Sequence, residues 1–422
     1  MNPKSHPLTI EIKGGHVATY KDPATGIPYD YGVYSYLDYG PSKDFFARFN
    51  VRTSPPTQIS VNSTYVDFTS GKIVSDYVPP TAGARTAALT KYLELCELYE
   101  KILLPGFWDF PSSNQIPEDL LLDFGEFAKK HGIEAAVPQI VSVSGLGVGT
   151  PITSTTLYVM QAFGAPMARA ILQGQSFVPA SRNNSELYSH ITQLLGRDVL
   201  YSSQVVEAER SVDGISVVIS STDRKLTFIQ AKRLLISFEP TLENLKPFGL
   251  DVSESSVFSK WEYSNTYASI VSHPSLPQNG SLVNTPIAAA PSNYLTMPQL
   301  PYLDKFNYIG PPGFRALMGV NRTFNSFEAK SVVEHALETL IEAQTVPRPL
   351  ENVSLKWVSF SDHGPMHLRV GKEELRKGFI QNLYELQGRN GTWYTGAAWS
   401  AQFTGVVWAF TETVLGKLLE GL

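Results

Sequence analysis

Trp393-Tyr394-Thr395-Gly396-Ala397-Ala398-Trp399, close to the C-terminus, is the stretch on which the fold turns. It reads as a short aromatic strand that stops at a glycine. An amphipathic helix follows from about Gly405, with its body over 406–415. A buried strand leading into a core helix has the same pattern, so its neighbours matter. Residues 198–207, 214–220, 225–230 and 233–238 alternate as strands behind a helix over 185–195. At the other end, 8–13 (LTIEIK) alternates and stops at Gly14-Gly15, as a strand entering a tight turn does. Asp22-Pro23 and Thr25-Gly26 predict a hairpin over 20–31, and 67–72 predicts another. Residues 44–50 predict one or two helical turns. Residues 83–175 change character: three- and four-residue apolar spacing predicts helices over 87–103, 117–131 and 155–172, and 136–143 reads as strand-like. A further helix is expected over 327–342.

The chain has 422 residues, 43% hydrophobic and 17% charged, enough to bury a sizeable core over two or three domains. No apolar run approaches the roughly 18 residues of a membrane span. Net charge is −5, from 34 basic and 39 acidic residues, without a basic block, which argues against nucleic acid as a partner. A single cysteine, Cys96, excludes an internal disulfide and a thiolate metal centre. Asp362, His363 and His367 lie close in sequence, but adjacent strand residues face opposite ways and no further ligand cluster is visible, so no metal is expected. Without a G-x-S-x-G elbow, hydrolase chemistry has no support. The N-terminus carries no signal peptide, which makes a cytoplasmic location the default. Six N-x-[ST] sequons, at Asn62, Asn183, Asn279, Asn321, Asn352 and Asn390, leave secretion open if an upstream segment is absent. Nothing in the sequence sets an oligomeric state.

Three segments in order resemble one family. Gly14-Gly15-His16, with Tyr20-Lys21-Asp22-Pro23-Ala24-Thr25-Gly26 and Asp30-Tyr31-Gly32-Val33, is the first. Ala231-Lys232-Arg233-Leu234-Leu235-Ile236-Ser237 is the second. Leu386-Gln387-Gly388-Arg389 with Trp393–Trp399 and the 406–415 helix is the third. Together they resemble flavin-containing amine-oxidase-like oxidoreductases, most of all the fungal branch with the β-cyclopiazonate dehydrogenase type. The C-terminal part also resembles polyenoic fatty acid isomerases. The resemblance implies an α/β fold, α+β overall: a Rossmann-like FAD domain assembled from 1–55, 186–240 and 355–422. A mixed substrate domain, 56–185 and 241–354, would carry a helical insertion at about 83–175. It implies FAD as cofactor, held by Glu11, Gly14, Gly15, His16, Asp30, Tyr31, Gly32, Val206, Gly396, Ala397 and Val406, with Trp399 and Trp408 lining the substrate pocket.

The pattern also departs from that family. A dinucleotide fold opens with a strand, G-x-G-x-x-G and a helix that holds the pyrophosphate, and an acid for the ribose follows about 20 residues later. Glu11 could be that acid, or a solvated strand glutamate; only ten residues precede it and none is glycine. Gly145-Leu146-Gly147-Val148-Gly149 is G-x-G-x-G, is followed by Pro151, and reads as a loop between helices. The first βα unit is thus expected to be missing: either the chain lacks an upstream segment, or it is a relative that does not hold FAD and is not catalytic. Ala397 also stands where many flavin sites have an acid for the ribityl chain.

The expected chemistry is hydride removal from an apolar small molecule, plausibly of secondary metabolism. A flavin-dependent double-bond isomerase of a lipid is the alternative. The flavin carries most of such chemistry, and the protein supplies orientation and a dry pocket. His16, His363 and Tyr394 are the candidate acid/base residues, although a lone histidine is more often structural.

Overall fold

The computed structural model describes residues 15–57, 61–148 and 151–421, so Glu11, Gly14 and the strand expected over 8–13 lie outside the described residues. The chain enters through a hairpin. β1 (Thr19–Lys21) pairs antiparallel with β2 (Pro28–Asp30), and Asp22 caps the turn by accepting from the Ala24 N–H at 2.9 Å and the Thr25 hydroxyl at 2.9 Å. Gly32 follows because the backbone doubles back on itself: a Cβ there would sit 2.1 Å from the His16 carbonyl oxygen. A helix over Ser42–Arg48 follows, as the sequence predicts. The second predicted hairpin is only a turn, closed by a single bridge between Val66 and Ile73.

The helical insertion forms as expected but with different joints. After Ala82–Leu103, the helix expected over 117–131 is two, Glu118–Leu121 and Phe124–His131. Leu122 is extended (ψ 147°), and the chain there bonds across to Thr155 and Thr156, which unwinds the join. The strand-like run 136–143 is in fact helix α1 (Val137–Val148). Pro138 suits a helical first turn, and Val137, Ile140 and Ser144 are buried at helical spacing, so packing overrides the β-branched composition. The helix expected over 155–172 also divides, into α2 (Thr156–Ala162) and Ala165–Gln173, at Gly164.

β3 (Ser203–Ser211), Gly214–Ser221 and Leu226–Ala231 then make a three-stranded antiparallel meander. The next strand, β4 (Leu234–Ile236), leads to helix α3 (Val252–Phe258), which starts at a capping box of Asp251 and Glu254. A seven-stranded sheet follows, built around Glu262–Ser272, β5 (Gly313–Asn321) and the long β6 (Lys356–Arg369). Helix Ser326–Glu342 covers one face, packing Ala329, Val333, Leu337 and Leu340 on Phe314, Ala316 and Met318. The other face meets the N-terminal hairpin through Ala18, Tyr31, Ala268, Ile270 and Leu317. Finally β7 (Thr392–Tyr394) lies parallel to β4, Leu234 opposite Thr392 and Ile236 opposite Tyr394, and passes through Gly396 into helix α4 (Thr404–Leu419). Mixed helix and sheet with a Rossmann-like parallel pair is the expected fold class. Among the described residues no helix is long and apolar enough to cross a membrane.

One buried ion pair joins these pieces. Arg210 of β3 donates to both carboxylate oxygens of Glu254 on α3, at 2.8 and 2.7 Å, with side chains 1% and 0% exposed. Glu254 also accepts from the Tyr394 hydroxyl of β7 at 2.8 Å. Removing one partner strands a buried charge, so Glu254→Leu is expected to cost about 3–5 kcal/mol in urea unfolding. Arg210→Met with Glu254→Leu is expected to recover much of that loss.

Candidate functional site

Ligands in open α/β folds sit at the carboxyl ends of parallel strands. Here those ends are Ser237-Phe238-Glu239 after β4 and Thr395-Gly396-Ala397 after β7, locked together by the Thr395 N–H donating to the Ile236 carbonyl at 2.9 Å. Gly396 has φ +112°, a conformation that side chains rarely adopt. Beyond it the 397–400 turn is tethered outward. Gln161 of α2, 4% exposed, donates to the Ala397 carbonyl at 3.1 Å and closely to that of Ser400. Tyr384 donates to the Trp399 carbonyl, and the Ser400 hydroxyl to the Pro105 carbonyl. With these carbonyls held toward the helical insertion, the chain reaches the N-terminus of α4. No side chain caps that helix, and Gln402 beside it has a buried Nε2 without a partner. A helix start of this kind presents partial positive charge and free N–H groups.

The hairpin brings His16 to the same region. Its ring stacks on His363 with centroids 4.8 Å apart and 17° between planes, and its Nε2 donates to the His363 carbonyl at 3.0 Å. A carbonyl partner requires the proton on Nε2, so in the neutral ring Nδ1 is the acceptor. His363, on β6, has a buried Nε2 without a partner, and burial pushes its pKa down to about 3, so the ring is neutral. His367 is held neutral in the same way. Glu239 is surrounded by protein yet partly open to solvent; burial raises its pKa, and the charge of His16 acts against that rise. A titratable group that is deep but still reachable marks a cleft wall.

Asp30 stands further along the hairpin. It accepts from the Thr19 hydroxyl and from the Asn184 N–H at 3.3 Å, but burial outweighs these bonds and raises its pKa to about 6. Tyr31 is buried, its hydroxyl 3.0 Å from that of Ser361 on β6. Gly15 has φ +60° and open space where a Cβ would stand. Val406 is buried in the first turn of α4.

Three expected placements need correction. Tyr394 is fully buried and its hydroxyl is held by Glu254, so it is a packing and anchoring residue, not an acid or base in an open site. Trp399 is also fully buried, stacked on Tyr394 at 5.0 Å, and does not line a pocket. Trp408 packs α4 on the Ser42–Arg48 helix through Phe45, at 4.6 Å, and Phe46. Val206 is 47% exposed at a bulge in β3. Glu239 and Gln161 escaped the sequence reading. An acid directly after the apolar strand, Phe238-Glu239-Pro240, and one glutamine in an otherwise apolar helix are the signals that mark them.

The donor set fits the ring end of a flavin: an uncapped helix start, the unpartnered Gln402 amide and the open side of Gly15. The described residues offer no comparable cradle for a pyrophosphate, and residues 145–148, the nearest glycine-rich run, continue helix α1. If Gln161 sets the 397–400 turn, Gln161→Leu leaves the buried Ser400 carbonyl without a donor and leaves that of Ala397 with only the Ser400 N–H at 3.3 Å. At about 1–3 kcal/mol, FAD affinity is expected to fall roughly 5- to 100-fold, measured by quenching of flavin fluorescence on titration.

No family model matches the chain. FAD-dependent oxidoreductase pigF of Monascus ruber is 33% identical over 420 residues, 97% of this chain and 85% of the relative. β-Cyclopiazonate dehydrogenase of Aspergillus flavus is 30% identical over 409 residues, 96% of this chain and 85% of the relative. Among solved structures, a CLA-producing fatty acid isomerase from P. acnes superposes with a TM-score of 0.70 at 17% identity, covering 96% of this chain and 90% of that one. Cyclohexylamine oxidase from Brevibacterium oxydans gives 0.55 at 14% identity, covering 96% and 91%. The likeness to these structures carries the fold, the likeness to the fungal proteins carries the family, and the chain belongs to the FAD-dependent oxidoreductases of amine-oxidase-like fold that include β-cyclopiazonate dehydrogenase.

Proposed function

We propose that this chain removes a hydride from a carbon of an apolar small molecule, in fungal-type secondary metabolism, with FAD as its cofactor. FAD supplies the two-electron acceptor. The protein's residues bind, orient and move the proton. The observation that carries the reading is the bond from His16 Nε2 to the His363 carbonyl, with Glu239 after β4 within electrostatic reach of the ring; in the neutral ring Nδ1 is then free to accept a proton. Nδ1 takes the proton of an N–H or O–H on the carbon that loses the hydride, so the substrate gives up one hydride and one proton and gains one double bond. Glu239 stabilises the imidazolium that forms. The hairpin aromatics Tyr20, Tyr29 and Tyr31 pack on the sheet and keep water from this end of the cleft.

The relatives' names support the cofactor and the reaction class, and a relative named for β-cyclopiazonate supports a small organic substrate. The test is uptake of FAD by the purified chain, then anaerobic bleaching of the flavin absorbance by a panel of apolar amines and their hydroxy analogues. A chain that takes up no FAD overturns the reading. His16→Asn is expected to keep FAD affinity and to slow bleaching roughly 10²- to 10⁴-fold, the range of a lost general base.

Asp30 gives a pH prediction. Its folded pKa, about 6, lies above the ordinary 3.8, so the folded state holds a proton that the unfolded chain releases between about pH 4 and 6. Stability therefore falls as pH rises through that window. Asp30→Asn is expected to remove the fall, leaving the variant up to about 3 kcal/mol more stable at pH 7 and equal to the parent near pH 3.5, read from urea midpoints.

A further inference from the structure

Arg315 lies on β5, cross-strand from Ile270, on the sheet face that meets the hairpin rather than the face covered by helix Ser326–Glu342. Its guanidinium is deep in the molecule and yet half-buried rather than sealed, the same combination that marks Glu239 and His363 as cleft walls. Among the described residues no hydrogen bond or ion pair reaches it. The ring of Tyr34 lies 5.6 Å from the guanidinium carbon. The nearest carboxylate to act on it, Asp304, is already engaged with Lys305 at 3.5 Å, and Lys305 also donates to Ser142 at 3.0 Å. Tyr34, 40% exposed, is held beside the guanidinium by its hydroxyl donating to the Thr57 carbonyl at 2.9 Å.

An arginine surrounded by protein is normally paired, because a buried charge without a partner is costly. Here the cost stands: burial lowers the pKa of Arg315 despite the attraction of Asp304 and Tyr34. Five donors remain in a fixed fork, on a sheet face where the cross-strand Ile270 and the next residue on the same face, Leu317, are apolar and Asn307 is polar. We infer that Arg315, under the Tyr34 ring, is an anion-docking subsite that takes a carboxylate or enolate oxygen of an otherwise apolar substrate. The inference rests on the proposed oxidoreductase function only in taking the docked molecule to be substrate. The proton-accepting end at His16 and the docking end at Arg315 would then orient one acidic, apolar molecule between the hairpin and the sheet.

The test needs no turnover. 4-Phenylbutyrate and its neutral amide, 4-phenylbutyramide, are titrated into the FAD-supplied chain by calorimetry. The acid is expected to bind at least ~10-fold more tightly than the amide, the size of a charge-assisted hydrogen bond. Arg315→Gln is expected to bring the ratio to about one, and Arg315→Lys to keep part of the preference. Equal binding of acid and amide by the parent, no binding of the acid, or an undiminished preference in Arg315→Gln overturns the inference. If Arg315→Gln does not fold, the parent's ratio together with the Lys variant decides. Flavin uptake without acid preference refutes the subsite alone. Acid preference without flavin uptake refutes the oxidoreductase reading alone.

Discussion

The buried Arg210–Glu254 pair is the constraint on which the flavin-side half of the molecule depends. It joins β3 of the meander to α3, and through the Tyr394 hydroxyl it reaches β7. Arg210 also donates to the Phe248 carbonyl at 2.7 Å and the Thr392 hydroxyl at 3.2 Å, so one guanidinium ties its own strand to two stretches far away in sequence, 248–254 and β7. A buried ion pair is weak evidence for net stability, because desolvation offsets attraction. Its effect is on register: β7 can lie beside β4 only where Tyr394 finds Glu254, and that register aims Gly396 at the ligand end of the strands.

The parts of the fold that could be read from sequence share a local cause. The β1–β2 hairpin follows from Asp22-Pro23 and Thr25-Gly26, whose turn chemistry is complete within five residues. The strand before Gly396 and the helix after it were legible for the same reason. Where tertiary contacts decide, the sequence misleads. Helix α1 is rich in valine and isoleucine and reads as a strand until it is known to lie against the sheet. The two broken helices of the insertion break at Leu122 and at Phe163-Gly164, where backbone groups find partners elsewhere in the chain.

The candidate site was half legible for a related reason. His16, Asp30, Tyr31, Gly32 and Gly396 could be named because they stand in motifs. Glu239, Gln161 and Arg315 could not, since each acquires its role from what folding brings beside it: His16 for the first, the 397–400 turn for the second, the lack of a carboxylate for the third. The same limit led to overvaluing Trp399, Trp408 and Tyr394. Aromatic residues next to a flavin motif resemble pocket walls in sequence, but large rings are also what a core needs, and these three are used there.

Core and cleft then divide the polar groups between them. The core holds its charges in pairs, as with Arg210 and Glu254. The cleft keeps groups in states that folding alone does not favour: Asp30 and Glu239 with raised pKa values, neutral His363 with an unpartnered nitrogen, Arg315 without a counter-ion. Such a set lowers stability, and it persists only if the surrounding structure holds it in place. That support comes from the helical insertion as much as from the parallel strands, because Gln161 and Pro105 of the insertion, together with Tyr384, fix the turn that β4 and β7 alone would leave loose. Three requirements stay unmet among the described residues: a proton for the acceptor nitrogen of His16, an anion for Arg315, and an electron-rich edge for the start of α4. On the proposed reading, a single apolar, acidic substrate beside a flavin ring would meet all three.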